Sequence, residues 1–183
     1  MALNYVGQRN NSGSRNLELV LLYNSITVDV GDALEFYTNG YATNGAAATP
    51  LKGIVHAICT IDQLPILTGS NIAGSENPSA TTSITTESDN TTTELYWALI
   101  DTATTSKYSA EVSGTLGTTV SSTLGGCRID IDSSNTDYGR LLESTATRTI
   151  GTPANFYSFG ADPDDSTRLI VSLAMSEEYG VQE

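Results

Sequence analysis

The chain has 183 residues, 39% of them apolar and 16% charged, and its 21 acidic against 8 basic side chains give a net charge of −13. That length suits one domain with a core of its own. That charge repels nucleic-acid phosphates and anionic membrane surfaces, which argues against direct nucleic-acid binding and membrane association.

Ser and Thr fill roughly a quarter of the sequence. Thr is β-branched and suits strands, while Ser suits turns, so the composition leans towards strands joined by polar loops. The first 16 residues, MALNYVGQRNNSGSRN, hold Arg9 and Arg15 and no acid. This stretch reads as an extended arm over 1–16, ahead of a β-rich body over 17–183. Leu3, Tyr5 and Val6 are the arm's sizeable apolar groups. Together with Arg9 and Arg15 they form the candidate partner-binding set, with nothing local to pack on, so the arm is expected to order only on a partner.

Along the body, Leu17–Tyr23 (LELVLLY) predicts a strand with Leu17, Leu19, Leu21 and Tyr23 on one face. Ile26, Val28 and Val30 alternate with polar neighbours, Gly31-Asp32 breaks the run, and Leu34 and Phe36 resume it opposite Glu35. Residues 39–50 are small and polar and read as a loop. Gly53–Ile61 (GIVHAICTI) is apolar at both parities, as in a central strand covered on two sides. Residues 68–94 read as a long loop with one Thr-rich strand near 80–86. Strands are further expected at 95–100, at Tyr108–Val112 and at Cys127–Asp132 (CRIDID). The last places Cys127, Ile129 and Ile131 inward and Asp130 and Asp132 towards solvent. Arg140–Ser144 fits a short helix or strand, and Phe156–Phe159 and Arg168–Met175 close the domain. Nine or ten short strands at this spacing predict an all-β sandwich, jelly roll or barrel with long Ser/Thr-rich loops.

Catalytic chemistry has few residues to use. The single histidine, His56, lies inside an apolar run, and no Gly-x-Ser-x-Gly elbow presents a serine. One His and two distant Cys are too few for a zinc site. Cys59 and Cys127 read as buried thiols, with one long-range disulfide as the alternative. Asp130 with Asp132, and Asp162, Asp164 and Asp165 in a turn, offer hard oxygen donors of the kind calcium takes, yet no EF-hand spacing is present. Phosphate-binding loops are absent. Exposed aromatics for sugar stacking would come from Tyr37, Tyr41, Tyr96 and Trp97. The expectation is a non-enzyme without cofactor or metal. No apolar leader and no run near the ~18 apolar residues of a membrane helix stand in the sequence, so synthesis in the cytoplasm is expected.

Two stretches carry a resemblance. ITVDVGDALEFYTNG followed by PLKGIVHAICTIDQLPI, and NFYSFGADPDDSTRLIVSLAMSE near the C-terminal end, are similar to small capsid decoration proteins of tailed bacteriophages. The resemblance implies a virion structural protein on the capsid exterior. Its partner would be the major capsid protein, it would act as a homo-oligomer with a trimer favoured, and it would stabilise the assembled shell. A tail or head-fibre component is one alternative, and a carbohydrate-binding module or adhesin is another.

Overall fold

The computed structural model describes residues 3–8, 16–37, 40–59, 83–86, 88, 96–113, 124–132, 138, 140–149 and 153–174. The ordered elements among them are thirteen strands: β1 (Asn4–Gln8), β2 (Leu17–Leu21), β3 (Thr27–Asp29), β4 (Ala33–Phe36), β5 (Ala42–Asn44), β6 (Leu51–Cys59), β7 (Ser83–Thr85), β8 (Trp97–Asp101), β9 (Ser106–Ser113), β10 (Arg128–Ile131), β11 (Leu141–Thr147), β12 (Phe156–Ala161) and β13 (Arg168–Leu173). The chain is all-β, as its composition and alternation predict.

Period-two alternation builds the larger sheet directly. Tyr108, Ala110 and Val112 on β9, Ile129 and Ile131 on β10, Leu141 on β11, Phe156 on β12 and Leu169, Val171 and Leu173 on β13 are all buried in one cluster. Their registers place them opposite one another: Tyr108 with Val171, Ala110 with Leu169, Val112 with Leu141, Leu141 with Ile131, Ile129 with Phe156, and Phe156 with Leu173. The sheet runs β1-β9-β11-β10-β12-β13, and β13 pairs again with β9. The five strands from β9 to β13 therefore close into a barrel around their own inward side chains, which leaves none of them as a bare edge.

The second sheet runs β2-β8-β6-β4-β5, with every neighbour antiparallel. A parallel bridge between Leu22 and Ala42, with Tyr23 N donating to Ala42 O at 2.8 Å, brings its two outer strands together. Val20, Leu22, Leu34, Ala42, Val55, Ile58, Ala98 and Ile100 fill its interior. The two-stranded sheet of β3 and β7 lies over this second cluster, with buried Val28 paired to Ile84.

Strand β6 is central, as expected, and serves both cores. Ile54 belongs to the first cluster, whereas Val55 and Ile58 belong to the second. Ile54 and Val55 face opposite sides by ordinary alternation, and a bulge keeps Ile58 on the Val55 side: Val55 faces Ile100 and Ala57 faces Leu99, so His56 is the extra residue.

Several expectations are corrected. Residues 4–8 are not a free arm, because β1 pairs with β9 from Asn4 opposite Ser109 to Gln8 opposite Ser106. In β2 the opposite parity is buried: Val20 and Leu22 enter the core, while Leu17 (41%) and Leu19 (36%) are exposed. LELVLLY is apolar at both parities, so alternation leaves the choice to pairing, and Val20 opposite Ala98 sets it. Phe36 is 55% exposed, with Lys52 Nζ 4.6 Å from its ring centroid. The strand β5 forms inside the stretch read as a loop, and 140–144 resolves to strand β11. The expected Thr-rich strand appears as β7. Apart from residues 83–86 and 88, the stretch 68–94 lies outside the described residues, as does Met175.

Candidate functional site

The five residues singled out as a partner-binding set separate. Leu3 is 4% exposed in the first core cluster, and its N–H donates to Gly31 O at 3.1 Å. Tyr5 packs on the same cluster, edge-on to Tyr108 at 6.0 Å between centroids. Both are packed within the chain, on segments distant in sequence, which corrects the expectation that they order only on a partner. Val6, the extra residue where the β1–β9 register shifts, is 50% exposed. Arg9 and Arg15 lie outside the described residues. The six other bases are all engaged within the chain. Lys52 pairs with Glu18 at 2.8 Å, Lys107 sits 4.9 Å from the Phe159 ring centroid, and Arg140 and Arg168 reach Glu111. Arg128 and Arg148 donate to the carbonyls of Thr149 and Gly125.

The carboxylates considered for calcium do different work. Asp130 and Asp132 are buried and do not face solvent. Asp130 Oδ1 accepts from Ala48 N at 3.2 Å and Asn155 N at 2.9 Å, and Asp132 Oδ2 accepts from Ser113 Oγ at 2.6 Å. Alternation marked them as outward because it registers hydropathy alone. The inward hydrogen-bond partners come from segments 19 to 82 residues away. Asn155, which sequence reasoning missed, is the pivot of this region. Its Oδ1 accepts from Ile131 N at 2.9 Å, and its Nδ2 donates to Ala46 O at 3.0 Å and Thr49 O at 2.7 Å. It thereby ties β10 to the 46–49 turn of the second sheet.

Asp162 accepts from Ser109 Oγ and from Asp164 N, the latter at 3.0 Å. Ser109 Oγ accepts from Arg168 Nε at 2.8 Å, and Arg168 Nη1 lies 3.6 Å from Glu111. The buried Arg168 guanidinium is thus compensated by hydrogen bonds and charge. Asp165 takes both the N–H (2.9 Å) and the hydroxyl (2.6 Å) of Thr167, and these bonds hold its carboxyl below the usual range. Among the described residues, no group of three or more His, Cys, Asp and Glu is gathered as a metal site requires. Cys59 and Cys127 are both buried thiols, and burial pushes the Cys59 thiol up.

The remaining feature is a cleft of about 790 Å³ at the second sheet. The loop before β3 brings Ser25 and Ile26, β3 brings Thr27 and Asp29, β4 brings Glu35, β5 brings Thr43 and Asn44, and Tyr37 and Tyr138 add rings. Glu35 is fixed by Ala46 N at 3.1 Å and by the Thr49 hydroxyl. Asn44 Nδ2 donates to Thr27 O at 3.2 Å, while Asn44 Oδ1 and Asp29 Oδ1 have no hydrogen-bond partner. Tyr37 belongs to an aromatic group, 4.3 Å from Tyr23, which in turn lies 5.9 Å from Tyr41. The neighbouring Tyr37 phenol, with burial, raises the Tyr23 phenol. Of the aromatics expected to stack on sugar, Tyr37 lines the cleft, and Tyr41 stands beside Tyr23 without lining it. Trp97 stands on β8, paired with Leu21 and Cys59, and Tyr96 packs against the second core cluster.

Comparison of the chain with family models, with curated proteins and with solved structures finds no match to any of them. Among the described residues, no helix is long and apolar enough to cross a membrane.

Proposed function

We propose that this chain is a non-catalytic virion structural protein that binds and stabilises an assembled bacteriophage shell from its exterior, as a homo-oligomer with a trimer favoured. The observation that carries the reading is the outward pair Leu17 and Leu19 on β2. Strand β2 turns Val20 and Leu22 into the core and still presents two leucines to solvent. Apolar side chains placed this way suit a contact with another protein. Val6 on β1 is a third outward aliphatic group. A closed barrel joined to a second sheet supplies a rigid body for such a role, and the resemblance of residues 26–40, 50–66 and 155–177 to decoration proteins suggests the partner.

The test is sedimentation with empty shells of the major capsid protein encoded beside this chain. The wild-type protein is expected to travel with the shells and to saturate. Leu17→Asp with Leu19→Asp, both at exposed positions, is expected to fold and to weaken that binding at least tenfold. A wild-type protein that stays in the supernatant at micromolar concentration overturns the reading.

A further inference from the structure

We propose that the cleft between β3, β4 and β5 is a binding site for a saccharide unit that carries no negative charge. This inference stands apart from shell binding, since neither Leu17 nor Leu19 lines the cleft.

The chemistry of the walls selects the ligand. Of the eleven lining residues, eight offer oxygen-bearing side chains: Ser25, Thr27, Asp29, Glu35, Tyr37, Thr43, Asn44 and Tyr138. None is Lys, Arg or His, and two are carboxylates. An anion meets only repulsion and no charged donor there, which excludes phosphate, sulfate and sialylated or uronic sugars. A wholly apolar ligand would strip water from these hydroxyls and carboxylates and return no hydrogen bond. A ligand rich in hydroxyl donors matches acceptors spread around the wall, whereas a compact cation needs them converged, and no metal-type group is gathered among the described residues.

The second requirement of sugar binding is a flat ring against which the C–H face of a pyranose packs. Tyr37 lines the cleft and is 44% exposed. Its ring is buttressed by Tyr23, and its backbone N–H donates to Tyr41 O at 2.7 Å, which fixes the strand end that carries it. A cleft of about 790 Å³ is large enough for a mono- or disaccharide.

The test is saturation-transfer-difference NMR on the full chain. The probes are glucose, galactose, mannose and N-acetylglucosamine with their β-linked dimers, alongside sialyllactose and spermidine. At least one uncharged sugar is expected to bind in the millimolar range or tighter. Tyr37→Ala is expected to weaken it at least tenfold, and Tyr37→Phe is expected to retain most of it. Leu17→Asp with Leu19→Asp is expected to leave it unchanged. If Tyr37→Ala does not fold, perturbation of the Tyr37 ring resonances by the sugar replaces it as the readout. No saturation transfer to any uncharged sugar, binding insensitive to Tyr37 (no loss in a folded Tyr37→Ala and no perturbation of its ring), or tighter binding of sialyllactose or spermidine than of every uncharged sugar each overturns the proposal.

Discussion

Asp32 lies buried in the turn that leads into β4, where its Oδ2 accepts from Asp29 N at 2.9 Å. The turn itself is made by Gly31, whose φ of 93° is a conformation that favours glycine. Burial pushes the Asp32 carboxyl up to about 7, the charge of Asp29 adds to that rise, and the Asp29 N–H partly offsets it. A carboxyl raised in the folded state keeps a proton that the unfolded chain gives up. Its stabilising contribution is whole below the unfolded value near 4 and is lost as pH climbs through about 7. The ionised form therefore costs the fold on the order of a few kcal/mol at pH 8, at about 1.4 kcal/mol per unit. Asp32→Asn keeps an acceptor for the Asp29 N–H and removes the charge. Thermal melts should show the variant more stable than wild type at pH 8, with the gap closing by pH 4. Parallel melting curves across that range would refute the assignment.

At the scale of elements, β1 carries the largest change from the reading of the sequence. A stretch of Asn, Gly, Ser and Arg with three apolar residues gives no sign by itself of having a strand partner. The partner, β9, lies about a hundred residues away, at Ser106 to Ser109. The same limit hid the Asp130 and Asn155 hydrogen bonds and the parity of β2, since each is decided by a distant segment. What alternation did reveal was every strand with one polar and one apolar face: β3, β9, β10 and β13 were legible, and with them most of the first core. The cleft was not legible, because its residues are ordinary strand and turn side chains until β3, β4 and β5 are brought together. Of its lining residues, only Tyr37 stands out in the sequence as a stacking candidate. Because Leu3 belongs to the core, Leu3→Ala is expected to lower unfolding free energy by about 2–5 kcal/mol in chemical denaturation, the usual cost of emptying a buried leucine site. A change below about 0.5 kcal/mol would mean that β1 is dispensable to the fold.

The whole molecule joins a closed barrel of β9 to β13 to a second sheet whose outer strands meet at Leu22 and Ala42. The two are locked by Asn155 and by Asp130, whose partners lie in the 46–49 turn, and by the backbone bond from Ala33 N to Tyr138 O at 3.2 Å. Such a body has a net charge of −13, and its described bases are all engaged internally, so its field repels polyanions. These properties suit a protein that coats a particle whose contents are polyanionic. A ligand that binds only the assembled state stabilises that state in proportion to the logarithm of its concentration, by about 2.7 kcal/mol at a hundred times its dissociation constant. The most direct measurement is therefore scanning calorimetry of empty shells titrated with this protein. A shell melting temperature that rises steadily with added protein beyond stoichiometry is expected, with the melting of unassembled capsid subunits unchanged. A shell transition that stays at one temperature across the titration would contradict it.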